Sequence, residues 1–165
     1  DHGQTALYIA AARGYVSIVE GLVNAKAEVN KSAGGVTPLS IAAYHGRLPV
    51  VELLLRAKTD ANIARTSDGI TPLLEAAAKG HVSVVQALLN AKANVDQAKR
   101  YSGETPLYIA LNTRMTKQSL AVVELLVHAK ANINKARTND GDTPLKLAIR
   151  WRKLDAVAIL RRRLP

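Results

Sequence analysis

The 165-residue chain is long enough for a single domain with its own core, and its 48% hydrophobic and 22% charged content is that of an ordinary folded protein. No apolar run approaches the roughly 18 residues of a membrane span, the opening DHGQTALYIA lacks the basic start and continuous apolar stretch of a secretory signal, and the absence of cysteine excludes disulfides and thiolate chemistry. The net charge of +10 is local: residues 1–109 carry 11 Lys/Arg against 9 Asp/Glu (+2), whereas residues 110–165 carry 12 against 4 (+8), a field that attracts an acidic protein, nucleic acid or an anionic surface.

The chain repeats itself. Aligned on threonine, it reads TALYIAAARG from Thr5, TPLSIAAYHG from Thr37, TPLLEAAAKG from Thr71, TPLYIALNTR from Thr105 and TPLKLAIRWR from Thr143, at spacings of 32, 34, 34 and 38. Threonine caps a helix through its hydroxyl, and proline fits the first helical position, where its missing N–H costs nothing. Each threonine therefore predicts a helix start.

Taken in order, the first unit (about 1–32) starts at Thr5 without proline, and its second helix carries Val16, Ile18, Val19, Leu22 and Val23. That helix is as apolar as an internal one, whereas solenoid ends usually need a polar outer face, so the chain is expected to be part of a longer protein. The second unit (33–66) places the small pair Ala42-Ala43 in its first helix, ends that helix at Gly46, and continues with Val50, Val51, Leu53, Leu54 and Leu55. The third (67–100) repeats this with Ala76-Ala77, Gly80, Val84, Val85, Leu88 and Leu89. These stripes predict a second helix buried along a wide face. In the fourth unit (101–138) the distance from threonine to the Val122-Val123 pair is four residues longer than in the third, within NTRMTKQS at 112–119, which predicts an extended first helix or a longer turn. The fifth (139–165) is rich in Lys146, Arg150, Arg152, Lys153 and Arg161 to Arg163, polar enough for a cap. Asn/Asp/Gly stretches such as RTSDGI and RTNDGD predict turns before the next threonine.

Four Thr-Pro-Leu copies in register with the alanine pair, Val-Val and Leu-Leu make this chain resemble an ankyrin-repeat protein over essentially its whole length. The resemblance implies a single all-α solenoid domain of five helix-turn-helix units, with projecting hairpin-like finger loops and first helices lining a concave face. The family often has histidine after Thr-Pro-Leu. Here the position holds Tyr8, Ser40, Leu74, Tyr108 and Lys146, which leaves the inter-repeat bonds of that histidine without their usual donor.

The second helices of the first four units close alike, in NAKAEVN, RAKTDAN, NAKANVD and HAKANIN, with Lys26, Lys58, Lys92 and Lys130 where the family usually has a left-handed glycine. A side chain there costs about 1 kcal/mol, which the smaller entropy loss of lysine and its charge at a helix C-terminus offset. A second basic column, Lys31, Arg65, Lys99 and Arg137, stands six residues before each of the later threonines. Both columns read either as solvated positions or as the lining of an anion-binding groove.

Catalytic signals are absent. His2, His45, His81 and His128 lie in different units with no zinc-site spacing, and SAGGV lacks the Lys-Ser/Thr of a phosphate loop, so no enzyme, metal, cofactor or small-molecule substrate is expected. His81 reads as helix-start packing. What remains is an intracellular recognition surface of unassigned compartment. The ankyrin layout implies partner contacts at Tyr8, Arg13, Tyr44, His45, Lys79, Tyr108, Asn112, Lys146, Arg150 and Trp151, with Gln4, Asp68, Tyr101 and Asp142 at the finger tips. Tyr, Trp and Arg dominate binding energy in interfaces, although Tyr8 and Tyr108 also fit packing between helices. The expected function is a protein-interaction module, scaffold or adaptor, whose partner has an acidic region. One alternative is nucleic acid or another polyanion bound at Arg114, Lys117, Arg150, Arg152, Lys153, Arg161, Arg162 and Arg163; a third is a structural piece of a larger assembly.

Overall fold

Five helix pairs follow the five threonines. In the computed structural model, which describes residues 3–162, they are α1 (Ala6–Arg13) with α2 (Val16–Asn24), α3 (Pro38–Tyr44) with α4 (Leu48–Arg56), α5 (Pro72–Lys79) with α6 (Val82–Asn90), α7 (Pro106–Asn112) with α8 (Lys117–His128), and α9 (Pro144–Arg150) with α10 (Leu154–Arg161). His2 and Arg163 lie outside the described residues. Every anchoring threonine has extended backbone, and its hydroxyl accepts from the N–H three residues on at 3.1–3.2 Å. Each such cap stabilises its helix by about 1 kcal/mol.

The odd-numbered helices pack in one row and the even-numbered helices in a second, with each pair joined across the rows. Alanine makes the close approach possible. Ala10, Ala11, Ala42, Ala43, Ala76 and Ala77 are buried in the first row, and Val51, Leu54, Val85, Leu88, Val123 and Leu126 extend the core continuously through the second. Gly46 turns the chain between α3 and α4 for two reasons: its φ of +67°, and the His81 ring, which would lie 2.8 Å from a Cβ.

That approach belongs to a repeated device. From the position just before the second helix, a side chain reaches back to the preceding unit's first helix. Arg47 Nε donates to the Ala12 carbonyl at 3.3 Å, His81 Nε2 makes the same bond to Tyr44 O at 3.0 Å, and Lys153 Nζ donates to the Leu111 carbonyl and, at 2.8 Å, to Thr113 O. Helix-terminal carbonyls without intrahelical partners thereby gain donors, cationic ones from Arg47 and Lys153.

The fingers are hydrogen-bonded turns. Arg65 N–H donates to Ile70 O at 2.8 Å, Lys99 to Glu104 at 3.0 Å and Arg137 to Asp142 at 2.8 Å, and successive fingers touch where Arg100 N–H reaches Asp68 O and Thr138 N–H reaches Ser102 O. Among the described residues the only β pairing is an isolated bridge between Ala33 and Val36.

The four-residue excess of the fourth unit enters a longer turn, 113–116, and an added N-terminal turn of α8, while α7 stays at seven residues. Of the two expected arrangements, the longer turn occurs and the lengthened first helix does not. Thr116 and Ser119 explain the choice, since their reciprocal capping box starts a new helix upstream of Val122-Val123. At the ends of the stack, Ile18 is 51% exposed where its counterparts Val50 and Val84 are buried. In the fifth unit Lys146, Arg150 and Arg152 are exposed, but so are Ile149, Trp151 and Leu154, so its outer surface is less uniformly polar than expected.

Lys26, Lys58, Lys92 and Lys130 all adopt the left-handed conformation, with φ of 63°, 60°, 63° and 67°. Their neighbours complete a Schellman pattern, for example Ala93 N–H to Leu88 O and Lys92 N–H to Leu89 O, both at 3.0 Å. Lys92→Gly should therefore change stability by less than about 1 kcal/mol in urea denaturation. Lys92→Val should cost about 1 kcal/mol more than that, because a β-branched side chain is poorly tolerated at positive φ.

Candidate functional site

The row of first helices ends in a run of exposed side chains. Arg13, at the last position of α1, is exposed, and at the end of α3 the Tyr44 and His45 rings meet edge-on with centroids 4.9 Å apart. Lys79, at the end of α5, places its ammonium 4.3 Å above the Tyr44 ring, a cation–π contact that crosses from one unit to the next. Asn112 closes α7 and Trp151 caps α9; both line a cleft of about 860 Å³ between the α7–α8 and α9–α10 turns. Tyr44, His45 and Lys79 thus form one group, and Asn112 and Trp151 a second.

The remaining expected contacts divide. Tyr8 is half-buried; Lys146 is exposed in the first turn of α9; Tyr101 is 69% exposed on the fourth finger, away from either group, with its carbonyl accepting from Thr138 Oγ1 at 2.6 Å. Tyr108 is only 2% exposed and Asp142 only 3%. Tyr108, expected as a partner contact, and Asp142, expected at a finger tip, are therefore buried in the fold and not on the exposed surface. The Tyr108 hydroxyl donates to Asp142 Oδ2 at 3.0 Å and accepts from Arg137 Nη1 at 3.0 Å, while Arg150 forks onto Asp142 at 2.9 Å through both Nη atoms. Arg137 also lies 5.0 Å over the Tyr108 ring. Burial pushes the Tyr108 phenol above its ordinary pKa. Arg150 is exposed at its edge, but its charge neutralises a buried carboxylate that is costly to leave alone.

Asp68 is likewise engaged, holding Arg65 through Nε at 2.8 Å and receiving the Ile70 N–H at 3.1 Å, and the Arg65 hydrogen bonds lower its pKa. The finger column of basic residues is neutralised throughout: Lys31 by Glu28 at 3.1 Å, Arg65 by Asp68 and by Glu75 at 3.6 Å, Lys99 by Glu104 at 2.9 Å, and Arg137 by Asp140 at 3.7 Å and Glu104 at 3.9 Å. It does not line an anionic groove. Among the alternative polyanion residues, Arg114, Lys117 and Arg152 line the same 860 Å³ cleft, Arg161 and Arg162 are exposed at the end of α10, and Lys153 turns inward to the carbonyls of Leu111 and Thr113, where burial lowers its pKa. Among the described residues no group of three His, Cys, Asp or Glu side chains is placed to hold a metal. Among the described residues no helix is long and apolar enough to cross a membrane.

Sequence patterning alone missed the apolar cleft walls Met115, Leu120 and Leu154, and the carbonyl-binding role shared by Arg47, His81 and Lys153. The signal for the latter was present. All three stand ten residues after an anchoring threonine and carry a side-chain N–H.

A family model described as ankyrin repeats (3 copies) matches residues 1–66 and 57–137. The chain therefore belongs to the ankyrin-repeat family, a family of non-enzymatic modules that generally bind other proteins. No curated protein sequence matches it.

Removing the Tyr108 hydroxyl leaves Arg137 and Asp142 each short of one bond, so Tyr108→Phe should lower stability by about 1–3 kcal/mol in urea denaturation. Glu75 gives a pH test. Burial, opposed by Arg65, raises its pKa, so the folded state retains the proton where the unfolded chain has already released it, and ionisation at higher pH costs stability. Glu75→Gln should accordingly melt above the unmodified protein at neutral pH. The gap should close as pH falls below the ordinary carboxylate range.

Proposed function

We propose that this repeat array is a scaffold or adaptor domain that grips a partner protein across the exposed ends of its first helices, and that units four and five favour an acidic region of that partner. The observation that carries this function is the aromatic and cationic row at those ends. Tyr44 lies beneath Lys79, His45 is beside it, and Trp151 is 63% exposed further along the stack. Exposed Tyr and Trp beside cations are the side chains that supply most interface energy, and the stacking of units brings them from distant parts of the chain to equivalent positions. Arg13, Lys146 and Tyr101 extend the same proposed contact surface, Tyr101 from its finger.

A polyanion is the second reading, supported by Arg114, Lys117 and Arg152 around one cleft. Salt separates the two. Nucleic-acid binding weakens log-linearly with salt according to the number of phosphates neutralised, whereas an aromatic-anchored contact responds weakly.

The test is capture from cell extract by the unmodified chain and by a Tyr44→Ala/Trp151→Ala double variant, followed by affinity measurement on the purified partner across a salt series. Both residues lie largely outside the core, so circular dichroism should be unchanged. The double variant is expected to bind at least about 30-fold more weakly, equivalent to 2 kcal/mol or more. Equal capture by both proteins, or affinity that follows salt alone, would overturn the proposal.

A further inference from the structure

We infer that the cleft between the α7–α8 turn and the α9–α10 turn is a second docking site, for a partner segment whose apolar side chains are flanked by carboxylates. The inference rests on the protein-binding function proposed above and adds a groove and a ligand chemistry to it.

The cleft is built where the chain departs from its own repeat. One wall is the longer turn 113–116 and the added first turn of α8; the other is the α9–α10 turn. Nine residues after their anchoring threonines, where the first three units have Gly14, Gly46 and Gly80, the last two have Arg114 and Arg152. Arg152 keeps the left-handed backbone of those glycines, with φ of 51°. Holding an arginine in a conformation that disfavours side chains puts a cation on the rim at some conformational cost.

The interior is apolar. Met115 and Leu120 are half-buried, Trp151 is 63% exposed, and Leu154, at 76%, is the most exposed large apolar residue among those described. About 860 Å³ lies between them, within the range of cavities that enclose a ligand. The rim is cationic. Arg114 and Lys117 stand on one side and Arg152 on the other, and none of them makes an ion pair within 4.0 Å among the described residues, in contrast with the finger cations. Asp155 is the single acidic residue in the lining. Lys153 is occupied with the carbonyls of Leu111 and Thr113 and belongs to the floor.

An apolar interior with an unneutralised basic rim complements an amphipathic acidic segment, whose apolar face enters the cleft while its carboxylates meet the rim. Single-stranded nucleic acid fits less well. It is held by successive stacking platforms, and this cleft offers one aromatic ring among aliphatic side chains.

The test uses a displayed library of random short peptides, selected against the unmodified chain, a Leu154→Asp/Lys117→Glu variant and a Tyr44→Ala variant. Selected peptides lacking tryptophan are then titrated while emission is followed from Trp151, the only tryptophan in the chain. Leu154 and Lys117 are exposed, so the cleft variant should keep its fold by circular dichroism. The expected result is enrichment of peptides that combine Leu, Ile or Phe with Asp or Glu, that shift Trp151 emission to the blue, and that bind the cleft variant at least tenfold more weakly while binding Tyr44→Ala unchanged. Absence of enrichment, enrichment without acidic residues, or equal binding to the cleft variant would overturn the inference. Peptides lost on Tyr44→Ala but retained by the cleft variant would remove the cleft and leave the proposed function standing. A poly-dT oligonucleotide that shifts Trp151 emission and displaces the selected peptides would assign the cleft to nucleic acid instead.

Discussion

None of the ten helices among the described residues is long enough to persist alone. They run from seven to twelve residues, and isolated helices shorter than about 12–15 residues are marginal in water. Each internal pair is stable because one flank is buried against the pair before it and the other against the pair after it, the two end pairs are buried on one flank, and the alanines of the first row let those flanks meet closely. The same requirement explains the side chains that cross from unit to unit. Arg47, His81 and Lys153 complete carbonyls that a short helix leaves open, so the second, third and fifth units each finish the end of their predecessor. Flank-to-flank stacking also carries function, because it brings positions far apart in the chain, such as Tyr44 and Lys79, into contact.

The last two units follow different chemistry. At the position where the second and third units have Ser40 and Leu74, the fourth has Tyr108, and where the second and third fingers end in Val36 and Ile70, the fifth has Asp142. A buried carboxylate has to be paired: Arg150 and the Tyr108 phenol converge on it, and Arg137 backs the phenol. Arg150 is thereby neutralised within the fold, and Arg137 is neutralised by Asp140 and Glu104. The +8 of residues 110–165 consequently overstates the field offered to a partner, and the unpaired cations of this region include the three around the cleft. The structural break in the repeat and the concentration of unpaired charge coincide. A regular array presents similar surface at every unit, whereas an irregular pair creates a groove found at one place.

Local chemistry is legible in the order of residues, and that is why the unit, its two helices, the threonine caps and the all-α solenoid of the ankyrin-repeat family could be read without coordinates. The left-handed lysines were legible for the same reason, since the bonds that end a helix involve neighbours only a few residues apart. The exposed group at Tyr44, His45 and Lys79 followed from register, because equivalent positions in stacked units lie side by side. Tertiary structure alone decided which side chains were consumed by the fold. Tyr108 and Asp142 look like binding residues by type, but pairing across 34 residues buries them, and no local pattern records the partner that a neighbouring unit supplies. The division of the four extra residues of unit four between a turn and α8, and the cleft that results, depended likewise on how two loops distant in sequence pack against each other in space.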